Sequence, residues 1–204
     1  MKIKRILVSQ PEPTSVKSPY HEFAERNNVK VDFRSFTEVE GVSAKEYRQT
    51  RVSILDHTAV IFTGRTAIDH FFRICADLRI VVPETMKYFC MSEATAFYLQ
   101  KYIVYRKRKI FYSDGPFSDL LEIMKKHLDE TYLLPLSHVH NQDIPQLLDE
   151  AKVKYSKAIL YRTVSSDLSD LKNVNYDILV FYSPSGIKSL LQNFPDFQQN
   201  DIKI

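Results

Sequence analysis

Short apolar runs recur almost from one end of the chain to the other, and between them the apolar positions switch to helical spacing. Strand candidates are Arg5 to Ser9, Val29 to Phe33, Ala59 to Thr63, Tyr88 to Met91, Lys109 to Tyr112, Tyr132 to Leu134, Ala158 to Tyr161 and Ile178 to Tyr182. Several are apolar without interruption, as strands covered on both faces are. Ile68, Phe71, Phe72 and Cys75 fall at i, i+3, i+4 and i+7, as do Phe117, Leu120, Leu121 and Met124, and again Ile187, Leu190, Leu191 and Phe194. Each set predicts the buried face of one amphipathic helix. A further helix should begin at Ser43, where Ser-Ala-Lys-Glu matches a capping box with Glu46 at its third position. Strands alternating with helices in this way predict an α/β protein built on mostly parallel sheets.

One segment is echoed later in the chain. VIFTGRTAIDHFF (60 to 72) aligns without gaps on LVFYSPSGIKSLL (179 to 191), giving apolar strand, small polar turn and amphipathic helix in the same order. Equivalent junctions near both ends of a long central stretch suit two lobes of related design.

The balance of 28 Lys+Arg against 25 Asp+Glu, a net +3, announces neither a nucleic-acid nor a membrane partner. The most basic window, Tyr105-Arg106-Lys107-Arg108-Lys109, reads as a solvated turn before a strand. Cys75 and Cys90 both lie in apolar stretches, as buried free thiols of a reducing compartment do, and the amino-terminal run is broken at Gln10 and Pro11. A cytoplasmic protein is expected. Four scattered glycines, Gly41, Gly64, Gly115 and Gly186, make neither a dinucleotide turn nor a phosphate loop, so no nucleotide cofactor is expected. His138-x-His140 is the one metal-like spacing and lacks a third ligand in register, so no metal is expected either.

What remains is a repeated junction. At FTGRT (62 to 66), CMSEAT (90 to 95), YSDGPF (112 to 117) and FYSPSG (181 to 186) a strand ends in a small hydroxylated or glycine turn and a helix starts at once. Parallel sheets bind ligands beyond the carboxyl ends of their strands, where helix amino termini offer unpaired N–H groups and a favourable dipole. The candidate anion-binding residues are therefore Thr63, Gly64, Arg65 and Thr66, then Ser92 and Thr95, then Ser183, Ser185 and Gly186. Taken alone, each such residue also serves as an ordinary helix cap. Tyr161, in AILYRT (158 to 163), is marked by position: its strand leads through the polar stretch Ser165 to Asp170 back to the FYSPSG junction.

The segments ILVSQPEP, VIFTGRTAIDHFF, FCMSEATAFYL, AILYRT and FYSPSGIKSL, in this order and spacing, resemble the uroporphyrinogen-III synthase family, particularly its Bacteroidetes-type members. The resemblance implies two flavodoxin-like lobes with parallel sheets joined by a two-stranded linker. Mapped here, residues 1–34 and 170–204 form lobe one, 42–153 lobe two, and 35–41 and 154–169 the linker. It further implies a monomeric lyase that cyclises and dehydrates hydroxymethylbilane, a linear tetrapyrrole with eight carboxylates, with inversion of the terminal ring and without cofactor or metal. Tyr161 takes the place of the family's favoured catalytic tyrosine, Ser183 through Gly186 its Ser-Pro-Ser-Gly helix start, and Glu93-Ala94-Thr95 its Asn-Ala-Thr-type helix start. The chain departs from the family at Gly64, where many members carry Ser, and at Ser9-Gln10-Pro11, where relatives often carry Thr-Arg-Pro. It also stops at Ile204, where the family continues with a further turn, helix and strand-helix unit, so lobe one is expected to be incomplete. Two rival readings without the reaction are a two-lobed small-anion binding or sensor module and a receiver-like domain, the latter disfavoured because no paired acidic residues follow the first strand.

Overall fold

The computed structural model describes residues 3–15 and 18–204. The expected first lobe includes residues 1, 2, 16 and 17, which lie outside them. In chain order the elements are β1 (Arg5–Val8), α1 (Pro19–Asn27), β2 (Lys30–Phe33), β3 (Thr37–Gly41), α2 (Ala44–Gln49), β4 (Ala59–Phe62), α3 (Arg65–Asp77), β5 (Lys87–Cys90), α4 (Glu93–Tyr98), β6 (Ile110–Tyr112), α5 (Phe117–Met124), β7 (Tyr132–Ser137), α6 (Asp143–Glu150), β8 (Tyr155–Ser165), β9 (Ile178–Val180) and α7 (Pro184–Asn193). All eight strand candidates are strands, and the α/β class with parallel sheets holds. The chain divides into two compact units, unit one of Met1–Val39 with Thr163–Ile204 and unit two of Glu40–Arg162.

Unit two carries the larger core. Its sheet runs in the order β3-β8-β7-β4-β5-β6, with β4 parallel to β5 and β7, β5 parallel to β6, and β7 parallel to β8. Residues of β4 alternate between two hydrophobic clusters: Val60 and Phe62 join the one that holds the buried face of α3, and Ala59 and Ile61 the one that holds α5 and α6. The predicted α5 face is buried at all four positions, Phe117, Leu120, Leu121 and Met124. On α3 the buried set is Ala67, Ile68, Phe71, Ile74 and Cys75, with Phe72 at its margin. The Ser43 capping box forms by half: Ser43 Oγ accepts from Glu46 N at 3.2 Å, but the Glu46 carboxylate accepts from Arg162 Nη1 at 3.0 Å instead of reaching back. The helices α1 and α6 carry no sequence-derived expectation. Helix α1 is short and has no buried residue, whereas α6 does carry an apolar stripe, Ile144, Leu147, Leu148 and Ala151, packed on the unit-two core.

Unit one has a three-stranded parallel sheet in the order β2-β1-β9, around Leu7, Phe36, Leu168, Leu179 and Leu190. Here one expectation needs correction. Of the predicted buried face of α7, only Leu190 is buried; Ile187 and Leu191 are 41% and 48% exposed, and Phe194 lies just past the helix end. The face that packs is made by Gly186, Ser189 and Leu190. A Cβ at Gly186 would come 3.1 Å from Phe181, and Ser189 Oγ donates to the Phe36 carbonyl. The helix thus lies close against the Phe181 ring at Gly186 and the Phe36 carbonyl at Ser189, and close approach selects small residues over large ones.

Phe71→Ala should cost about 3–5 kcal/mol of unit-two stability, because its ring has no exposure and stacks edge-on with Phe62 and Phe72. Ile187→Ala, at the equivalent apolar stripe of α7, should cost less than about 1 kcal/mol. Urea unfolding of the two variants measures the contrast; equal losses would contradict the burial of α7.

Candidate functional site

The four strand-to-helix junctions exist, and they differ in how far the protein satisfies its own amides. After β4 comes Thr63 and then Gly64, the cap residue of α3. Gly64 has extended backbone and offers no side chain to cap the helix. Among the described residues no side chain accepts from the first amides of α3, at Arg65, Thr66 and Ala67. Space around Gly64 is open, with nothing within 4 Å of where a Cβ would stand. Arg65 and Thr66 are exposed, and the Arg65 guanidinium lies over the Tyr98 ring at 5.3 Å. The first turn of this 13-residue helix therefore presents unpaired N–H groups, its positive dipole end and a guanidinium together.

The next junction is self-satisfied. Ser92 Oγ accepts from Thr95 N at 3.2 Å, and its hydroxyl lies 3.0 Å from that of Thr95. The Asp114 carboxylate, reaching over from the junction after β6, accepts from Glu93 N at 3.1 Å. Tyr112 donates its phenol to the Glu93 carboxylate at 2.9 Å. The expectation that Ser92 and Thr95 mark free amides is thus corrected. The first turn of α4 is occupied by the protein's own oxygens, and two carboxylates beside it oppose a further anion. Thr95 is buried and does not cap; Ser92 does.

In unit one, Ser183 stands before α7 in extended conformation, and Pro184 fills the first helical position. The Ser183 hydroxyl caps no amide; it pairs with the Ser185 hydroxyl at 2.8 Å, and both residues are exposed. Gly64 and Ser183 are the aligned residues of the internal echo, and both hold the same place, one residue before the helix.

Tyr161 sits on β8, beside an irregularity in the β7/β8 register. Leu136 faces Ile159 while Ser137 faces Tyr161, so Leu160 is one residue too many. As a consequence Leu160 and Tyr161 both pack with the cluster that contains α3. Bulges of this kind re-aim a side chain. The half-buried phenol stacks on His70 of α3, with centroids 5.0 Å apart and planes 19° from parallel. Burial alone raises its pKa above the ordinary value of 10.0. Sequence reasoning missed His70, Asp69 and Tyr98. Asp69 accepts from both Tyr98 and Tyr102 phenols and from Lys101 Nζ, tying α3 to α4. Burial works against the Asp69 charge, but these hydrogen bonds outweigh it and hold the carboxyl below its ordinary range. Asp69 and His70 lie off the apolar stripe of the VIFTGRTAIDHFF helix, among its polar positions, so no hydrophobic pattern singles them out.

Among the described residues one group has metal-like geometry, His127, Asp129 and Glu130. Lys87 Nζ pairs with Glu130 there and lies 3.5 Å from His127 Nδ1, so an ammonium already holds the place of a cation. His140 turns its Nδ1 to the Ser137 carbonyl at 2.8 Å, a turn contact. In the basic window, Arg106 pairs with Glu84 while Lys107 and Arg108 are exposed.

The sequence profile of the family described as uroporphyrinogen-III synthase HemD matches residues 18–204. No curated protein matches the chain. Among solved structures, uroporphyrinogen-III synthetase from Helicobacter pylori is similar with a TM-score of 0.57 and 16% identity, over 97% of this chain and 81% of that one. A mutant uroporphyrinogen III synthase from Thermus thermophilus gives 0.55 and 13%, over 93% of this chain and 77% of that one. The wild-type form of that protein gives 0.52 and 14%, over 95% and 77%. At such identities these structures show that the fold is shared.

Because the Ser92 hydroxyl caps an amide and the Ser183 hydroxyl does not, Ser92→Ala should cost about 1 kcal/mol in thermal or urea unfolding and Ser183→Ala much less. Gly64→Ser should be accommodated without displacement and should stabilise the protein by a few tenths of a kcal/mol through a new cap.

Proposed function

The chain belongs to the uroporphyrinogen-III synthase family, and on that premise we propose that Tyr161 donates a hydrogen bond or proton to the departing hydroxyl of hydroxymethylbilane while helix amino termini hold the substrate's carboxylates. The reaction is a cyclising dehydration that yields uroporphyrinogen III, a lyase step of porphyrin and haem biosynthesis. No observation favours the non-catalytic anion-binding reading.

The geometry of Tyr161 carries the assignment of roles. Loss of the substrate hydroxyl leaves an azafulvenium-like cation, and a donor near the leaving oxygen lowers that barrier. A phenol whose pKa is raised by burial keeps its proton, so it suits a donor and not a base. Its ring is fixed by stacking on His70. The linear substrate also closes spontaneously without inversion. The enzyme's larger task is therefore conformational, holding the chain of pyrroles so that the inverting route is favoured.

The best anion anchor is the start of α3, where Thr63, Gly64, Arg65 and Thr66 combine unpaired amides with a guanidinium. Unit one offers the paired, exposed hydroxyls of Ser183 and Ser185 at the start of α7, while Gly186 is buried behind them and turns its amide to the Ser183 carbonyl at 3.1 Å. Ser92 and Thr95 contribute by shaping the rim of α4, since their polar atoms are already engaged. A polycarboxylate held in this way needs no cofactor, and the reading includes none.

For location and assembly the reading is a cytoplasmic monomer. Among the described residues no helix is long and apolar enough to cross a membrane. Burial pushes both the Cys75 and Cys90 thiols up to about 12, so neither is a reactive thiolate near neutral pH.

Incubation with freshly made hydroxymethylbilane, oxidation and separation of isomers I and III tests the assignment. Tyr161→Phe should lower isomer III formation by roughly ten- to a thousandfold, the range of a lost general acid. Ser183→Ala and Thr95→Ala should be milder, because the first removes a hydroxyl that caps no amide and the second one already paired with Ser92. Full turnover in Tyr161→Phe with loss in either of the others would reverse the roles. The pH profile gives a second check. A raised phenol pKa means the donor form is lost only as pH climbs through a value above 10.0, so the rate should show no tyrosine-dependent fall between pH 7 and 9. A rise in rate with pH across that interval that disappears in Tyr161→Phe would show a base instead.

A further inference from the structure

We infer that Gly41, Arg73 and His70 form a positioning assembly for Tyr161; the inference rests on the role proposed for that tyrosine. Arg73, in the third turn of α3, turns its guanidinium back toward β8. Its Nη2 donates to the Val42 carbonyl at 2.7 Å and to the Leu160 carbonyl at 3.3 Å, one residue before Tyr161. Its Nη1 donates to the Asp77 carboxylate at 2.6 Å, and its Nε donates to His70 Nδ1 at 3.2 Å. Val42 N also donates to the Leu160 carbonyl, so the guanidinium sits at the point where the end of β3 meets β8.

That seat exists only because position 41 is glycine. A Cβ there would stand 2.6 Å from both Cζ and Nε of Arg73. Glycine is needed here for space, and any larger residue would lift the guanidinium away from both carbonyls and from His70.

The contact with His70 also fixes its protonation. A guanidinium does not give up its protons in a protein, so the nitrogen it donates to must be a bare acceptor. His70 is therefore neutral, with its hydrogen on Nε2, and presents an uncharged flat ring to the phenol 5.0 Å away. Burial and the nearby Arg73 charge both lower the His70 pKa, opposed more weakly by Asp69, in the direction the geometry requires. The bulge at Leu160 brings Tyr161 to the α3 side, and the stacked imidazole keeps its ring there. His70 and Arg73 are positioning residues: they act through the tyrosine.

The experiment uses the full chain and three variants, Gly41→Ala, Arg73→Lys and His70→Phe, each made also in a Tyr161→Phe background. Nitrogen-15 shifts of the histidine rings at neutral pH report the His70 tautomer, and a carbon-13 label on the tyrosine Cζ reports the Tyr161 phenol. The Nε2–H tautomer is expected in the parent, and a mixture in Gly41→Ala and Arg73→Lys. Those two should lower kcat for isomer III by about three- to thirtyfold with KM within about twofold, the scale of a misplaced catalytic group. His70→Phe, which keeps the flat ring, should retain kcat within about threefold. In the Tyr161→Phe background all three should add almost nothing. An Nδ1–H tautomer in the parent, or an Arg73→Lys loss that persists in full without the Tyr161 hydroxyl, would overturn the inference. If Gly41→Ala does not fold, Arg73→Lys and His70→Phe decide it. Full turnover of Tyr161→Phe alone would instead remove the proposed role of the tyrosine. The tautomer and the Cζ shift would then still show whether Arg73 positions it.

Discussion

Strand β4 has no exposed side chain along its whole length, Ala59 through Phe62, and that burial on both faces organises unit two. A strand with apolar groups above and below must be covered by helices on each side, and parallel neighbours joined by crossover helices provide the covering. The helices α3 on one face and α5 and α6 on the other are those covers. Each crossover begins at a strand's carboxyl end with a short turn into a helix amino terminus. The row of polar junctions is thus a by-product of burying β4, and the chemistry uses a feature that the core had already imposed.

Whether such a junction can take an anion depends on what the protein has already placed there. At α4 the Ser92 hydroxyl and the Asp114 carboxylate occupy amides, and Glu93 adds a second negative charge. At α3 the cap residue has no side chain at all, and Arg65 stands beside the open amides. Glycine in place of a hydroxylated cap gives up a little helix stability and leaves the amides to a ligand. Function and stability compete for the same N–H groups, and the junctions after the neighbouring strands β4 and β5 resolve that competition differently.

Tyr161 shows how backbone irregularity enters the site. A regular β8 would send Leu160 and Tyr161 to opposite faces. The extra residue at the bulge lets both meet α3, where His70 and Arg73 of one helix face can hold the phenol while Gly41 leaves room for the guanidinium. Three residues far from Tyr161 in sequence thereby gather around its ring and the preceding carbonyl.

The strands, the α3 and α5 faces and the positions of the junctions were legible in the chain, because burial of an apolar strand or stripe leaves a local periodicity. The aligned places of Gly64 and Ser183 could be read for the same reason. Of the α7 face only Leu190 could be read, since the residues packed beside it are Gly186 and Ser189, and close approach favours small side chains that no hydrophobic pattern marks. Nor could the occupied amides of α4, which depend on Asp114 arriving from the next junction. The stack of Tyr161 on His70 and the seat of Arg73 over Gly41 join residues 91 and 32 positions apart through a bulge and a missing Cβ. Periodicity reports what each residue does within its own element, whereas these contacts depend on how two elements meet, and only the tertiary structure decides that.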